Sequence, residues 1–98
     1  WPGCYDGRWP HIHFEVYRST SEATSDGQIV KTSPIALPQA ACEAVYADGA
    51  TYVSSADNLA RTSLTRDMVF GDDGGIHQLA TVTGDTASGY VANLTIAI

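Results

Sequence analysis

Basic residues are scarce in this chain. Its 98 residues hold one lysine, Lys31, and four arginines, Arg8, Arg18, Arg61 and Arg66, against 11 acidic residues, for a formal charge of −6. A protein this acidic is repelled by a phosphate backbone unless its cations are clustered. Here they are scattered, which argues against nucleic acid as a partner. Long apolar runs are missing too, and no stretch reaches the length needed to span a bilayer. Cysteine is limited to Cys4 and Cys42, with no CxxC spacing, so a cysteine-based zinc site is excluded. The pair leaves two possibilities open, one disulfide or two buried thiols. Low lysine content and an abundance of Ser, Thr, Ala and Gly point to an extracellular protein.

What is present reads as a globular chain: apolar residues make up 44% and charged residues 16%. The length lies near the lower end for a domain that buries its own core, so one domain, or part of one, is the upper bound. Trp1 already falls inside a structured motif, and the chain is therefore expected to be a piece of a longer protein.

Periodicity places the elements. From His11 to Tyr17 the residues alternate, with Ile12, Phe14 and Val16 on one face and His11, His13, Glu15 and Tyr17 on the other, the pattern of a strand with one apolar core face. Ser19 to Gly27 reads as a polar loop. A second strand is expected over Gln28 to Leu37, with Pro34 confining it to an edge, a bulge or a strand end. Pro38 suits the first turn of a short helix reaching Tyr46, closed by Asp48-Gly49. Asp57–Arg61 and Thr65–Phe70 read as short helical turns, Asp57 and Thr65 being candidate N-caps. Gly71 to Gly75 is a tight turn, and His77–Thr83 and Tyr90–Ile98 form a β-hairpin. The sum is a mainly β chain, expected to be a β-sandwich with short helical insertions.

The chemistry concentrates in the opening segment. His11 and His13 share one strand face about 7 Å apart, close enough for both imidazoles to meet one metal ion. Tyr5 precedes them across a turn, Asp6-Gly7, that can fold its phenol toward the same point, and Arg8 lies between. Two imidazoles and a phenolate suit iron(III) better than zinc, which favours Cys, His and carboxylate ligands. Other candidates are weaker. His77 reads as a solvated or capping residue, Asp72-Asp73 lacks the alternating oxygen ligands of a calcium loop, and the Gly71–Gly75 turn precedes a strand rather than a helix, so it is not a phosphate loop. Ser54, Ser55 and Ser63 have no adjacent base.

The string PGCYDGRWPHIHFEV resembles the P-G-x-Y … R-x-x-H-I-H signature of intradiol ring-cleavage dioxygenases, and is most similar to their single-domain, often secreted actinobacterial branch. Segments KTSPIALP, VFGDDGG, HQLATVTGD and SGYVANLTIAI are similar to that branch as well, so the resemblance runs along nearly the whole chain. It implies that Tyr5, His11 and His13 are iron(III) ligands, that Tyr5 also takes a substrate proton, and that Arg8 stabilises an electron-rich catecholate. The implied reaction is cleavage of a catechol-type aromatic by O2 to a muconate-type dicarboxylic acid. A further tyrosine ligand is expected upstream of Trp1, which makes residues 1–98 a partial catalytic domain lacking its N-terminal strands, inactive alone. Pro34 stands where the family has a glutamine. Two other readings compete: a non-catalytic β-sandwich interaction module derived from that family, and a zinc hydrolase using Glu15 as its base.

Overall fold

The computed structural model describes all residues, Trp1 to Ile98. Strand β1 (His11–Val16) pairs antiparallel with β2 (Lys31–Ala36), and the short helix α1 (Thr20–Ala23) fills the connection. Ser19 caps that helix, accepting the Glu22 N–H on its Oγ. Two helices follow, α2 (Gln39–Tyr46) and α3 (Ser55–Ala60), then the hairpin β3 (Thr81–Asp85) and β4 (Gly89–Asn93). No helix is long and apolar enough to cross a membrane.

The expected β-sandwich is not formed. The strands make two separate two-stranded sheets, β1-β2 and β3-β4, within a mixed α/β chain rich in turns and coil. The reason lies in where the apolar groups go. Ile12 is 43% exposed, and Phe14 and Val16 are only half-buried. No second sheet covers that face; Phe14 and Ser33 instead border a groove shared with Leu94 and Ile96 of the C-terminal segment, which Lys31 holds through a bond from Nζ to Ala97 O. The core is built instead from Cys4, Trp9, Ala36, Leu37, Cys42, Val45, Tyr46, Leu59 and Phe70. Most of these sit in coil or on helices.

Element boundaries also shift. The loop expected at Ser19–Gly27 contains α1, and the strand expected at His77 begins only at Thr81, because Gln78 and Leu79 fold back as turns onto Gly75 O. The last strand ends at Asn93 rather than Ile98. Thr65 to Phe70 is a series of turns with no helix. Pro34 sits inside β2 without loss, since Ala36 turns its N–H outward to Gln78 O, and Pro34, two residues earlier, shares that outward edge, where β1 asks for no donor.

Side chains and backbone pin the N-terminal segment to the helices. Tyr46 Oη donates to Pro2 O, Ser55 Oγ accepts the Cys4 N–H, and Asn58 Nδ2 donates to Cys4 O. Trp9, buried, donates its indole N–H to Leu37 O at the end of β2. These bonds fix both ends of the stretch that carries Tyr5 and Arg8.

Candidate metal centre

Tyr5 and Arg8 bracket a tight turn. The Arg8 N–H reaches toward Tyr5 O at 3.5 Å, and Gly7 between them has φ +84°. A positive φ at the third position is what a type II turn requires, and glycine adopts it without penalty. The turn brings the Tyr5 ring to 6.1 Å from the His11 ring, centroid to centroid, in an edge-on arrangement. On its other side His11 meets the fully buried Phe70, edge-on at 6.4 Å.

His11 is anchored as a ligand would be. Its Nδ1 lies 2.7 Å from Trp9 O, a backbone acceptor that orients the ring and leaves Nε2 free, the arrangement that metal-binding histidines commonly use. His13 follows on the same face, opposite Pro34 in the ladder. Its Nε2 is occupied: Glu15 Oε1 lies 3.2 Å away, and Thr32 Oγ1 is at 3.4 Å. Glu15 is held in turn by the Tyr17 hydroxyl at 2.6 Å. That bond first, and His13 second, keep the Glu15 carboxyl below its ordinary value. The His13 contact is an exposed one, of the sort a metal ion displaces at small cost. The rings of Tyr5 and His11 thus lie near each other while His13 is turned toward a carboxylate, and a phenol with two imidazoles is a donor set whose chemistry suits iron(III).

Arg8 is the most firmly placed of the sequence candidates. Its Nε donates to Asp67 Oδ2 at 2.8 Å. Asp67 is not among the residues that the sequence singles out. Its carboxylate is wholly buried and accepts from Arg8 Nε and Trp9 N on Oδ2, and from Val69 N and Phe70 N on Oδ1. Burial pushes its pKa up, but Arg8 and the backbone N–H groups of Trp9, Val69 and Phe70 outweigh it, and the net shift is downward. Asp67 thus ties Arg8 and the Phe70 that backs His11 into one unit. The only hint in the sequence is an acid set among apolar residues, Met68 to Phe70, and that hint does not reveal its partner.

The candidate residues form an open surface. Tyr5 is 56% exposed, and the largest concavity of the chain, about 570 Å³ and lined by Trp1, Tyr52 and Tyr90 among others, includes none of Tyr5, Arg8, His11 or His13. No group of three or more His, Cys, Asp and Glu side chains that could hold a metal ion is formed. Cys4 and Cys42 are unpaired buried thiols, and Glu15 faces His13 and Tyr17. No family model, no curated protein and no solved structure matches this chain.

Proposed function

We propose that this chain supplies the iron(III)-binding face of an intradiol catechol dioxygenase, working as part of a longer protein. The observation that carries the reading is the pairing of the Tyr5 and His11 rings, at 6.1 Å between centroids, with His11 anchored through Nδ1 to Trp9 O so that Nε2 is left free for a metal. The resemblance of the opening motif to that family points the same way.

Iron(III), when bound, supplies the Lewis acidity and redox capacity that make an electron-rich catechol carbon reactive toward O2. The chain's own residues do the rest. His11 and His13, on one strand face, would hold the ion. Tyr5, an exposed residue, would take the proton of a catechol hydroxyl on its tyrosinate oxygen. Arg8, held by Asp67, presents a fixed positive charge to the negative oxygens of the substrate. The carbon–carbon bond between the two hydroxyl-bearing carbons breaks, both atoms of O2 enter the product, and a muconate-type dicarboxylic acid leaves.

The test is an absorption spectrum of the full-length protein loaded with iron(III). Tyrosinate-to-iron charge transfer gives a visible band that shifts when catechol is added, and His11→Ala abolishes it. A colourless iron-loaded protein, or full catechol-dependent O2 uptake by His11→Ala, overturns the reading.

A further inference from the structure

We propose that Asp67 is the positioning residue of this centre: its buried carboxylate grips Arg8 by Nε and so presents Nη1 and Nη2 outward, beside the Tyr5 turn, as a fixed edge for the anionic oxygens of the substrate. This role rests on the catecholate reading of the site.

The hydrogen bonds carry it. Arginine commonly meets a carboxylate with two parallel N–H bonds. Here the second bond to Oδ2 comes from Trp9 N at 2.8 Å, and Oδ1 is taken by Val69 N at 2.7 Å and Phe70 N at 3.0 Å. Only Nε of the guanidinium has a partner, at 2.8 Å. Neither terminal nitrogen bonds to the protein. The Asp67 side chain is 0% exposed and that of Arg8 18%, and neither terminal nitrogen of Arg8 is among the sealed polar atoms that lack a partner.

The support is rigid. Asp67 is bonded through its own backbone to Ser63 O and from Gly71 N, and its side chain organises the turn that ends in Phe70, the ring against His11. A guanidinium held this way loses little freedom when it binds an anion, which is the condition for transition-state stabilisation by a fixed charge. A purely structural acid could satisfy the same backbone donors without directing the arginine outward, so the test must read catalysis and not folding alone.

Asp67→Asn in the iron-loaded full-length protein is the discriminating variant. An amide has one acceptor oxygen, so if it continues to serve Val69 and Phe70, its NH2 group confronts the Arg8 and Trp9 donors and the guanidinium is released. The expected result is unchanged iron content and charge-transfer band, KM for catechol within about twofold, and kcat lower by about 10-fold or more. Wild-type kcat in the iron-loaded variant overturns the role. If Asp67→Asn does not fold, the Arg8 Nε–H of the metal-free, 15N-labelled wild type decides: slow exchange with solvent supports the grip, and exchange as fast as in free arginine removes it. The two failures are distinguishable. A wild type that binds iron yet opens no catechol ring removes the reaction and this role with it, whereas an active wild type with an equally active Asp67→Asn removes Asp67 alone.

Discussion

His13 Nε2 lies 3.2 Å from Glu15 Oε1, two residues along the same face of β1. His11 and His13 share that face, His11 being held through Nδ1 to Trp9 O. For both rings to hold one ion, His13 Nε2 would have to leave Glu15, the partner it has here. On the proposed reading, metal and carboxylate would compete for that nitrogen. Glu15→Ala is expected to tighten iron(III) binding by about two- to five-fold, the scale of an exposed ion pair, in a titration against a chelator. Weaker binding would show instead that Glu15 supports the ligand.

The Arg8–Asp67 pair makes a stability prediction apart from any reaction. Removing one partner of a buried, hydrogen-bonded ion pair typically costs about 3–5 kcal/mol, and Asp67→Ala strands the Trp9, Val69 and Phe70 N–H groups as well. Asp67 has a lowered pKa. Its folded value lies below its unfolded one, so its contribution is complete above the ordinary carboxyl range, near pH 4, and fades as pH falls through the folded value. Melting curves of wild type and Asp67→Ala should therefore differ most at neutral pH and converge in acid. A gap that persists undiminished down to pH 2 would contradict the ionic account.

The local pattern of the sequence carried further than its global one. Alternation from His11 to Tyr17 located β1, and Pro38 and Asp48-Gly49 bracketed α2, because these signals depend on neighbours within a turn or a strand. The β-sandwich failed because an apolar face such as Ile12, Phe14 and Val16 does not say what covers it; here Ile12 stays 43% exposed. The core formed elsewhere, around Trp9, Leu37 and Phe70, from residues with no shared periodicity. The site divides the same way. Tyr5, Arg8, His11 and His13 are candidates that spacing and the family resemblance point to, whereas Asp67 meets Arg8 across 59 residues, a contact that only the tertiary fold creates.

Gly7 isolates the turn that joins Tyr5 to Arg8. Its φ is +84°, and a Cβ placed there would meet nothing within 4 Å. Gly7→Ala thus tests backbone strain without a steric clash. It is expected to cost about 1–2 kcal/mol, seen as a lower Tm, and to weaken iron(III) binding in the full-length protein as the phenol drifts from His11. Unchanged melting would mean that the turn relaxes at no cost, and unchanged iron affinity that its geometry does not set the Tyr5 position.

Cys4 and Cys42 belong to one buried core cluster, yet neither is in a disulfide. Cys4 donates weakly toward Tyr5 O and Arg8 O, so it braces the same turn from beneath. Burial pushes both thiols up, Cys42 to about 11, and Asp6 adds to the rise at Cys4. The thiolate is the reactive form, and at neutral pH these sites hold very little of it. Native protein should therefore resist iodoacetamide at pH 7.5 and take up an alkyl group on each cysteine once denatured, without prior reduction, as read by intact mass. A denatured, unreduced sample that takes up no label at Cys4 and Cys42 would reveal a disulfide. Rapid labelling of the folded protein would instead mean that the segment carrying Tyr5 opens readily, and that the phenol is less firmly held over His11 than the bonds from Tyr46, Ser55 and Asn58 imply.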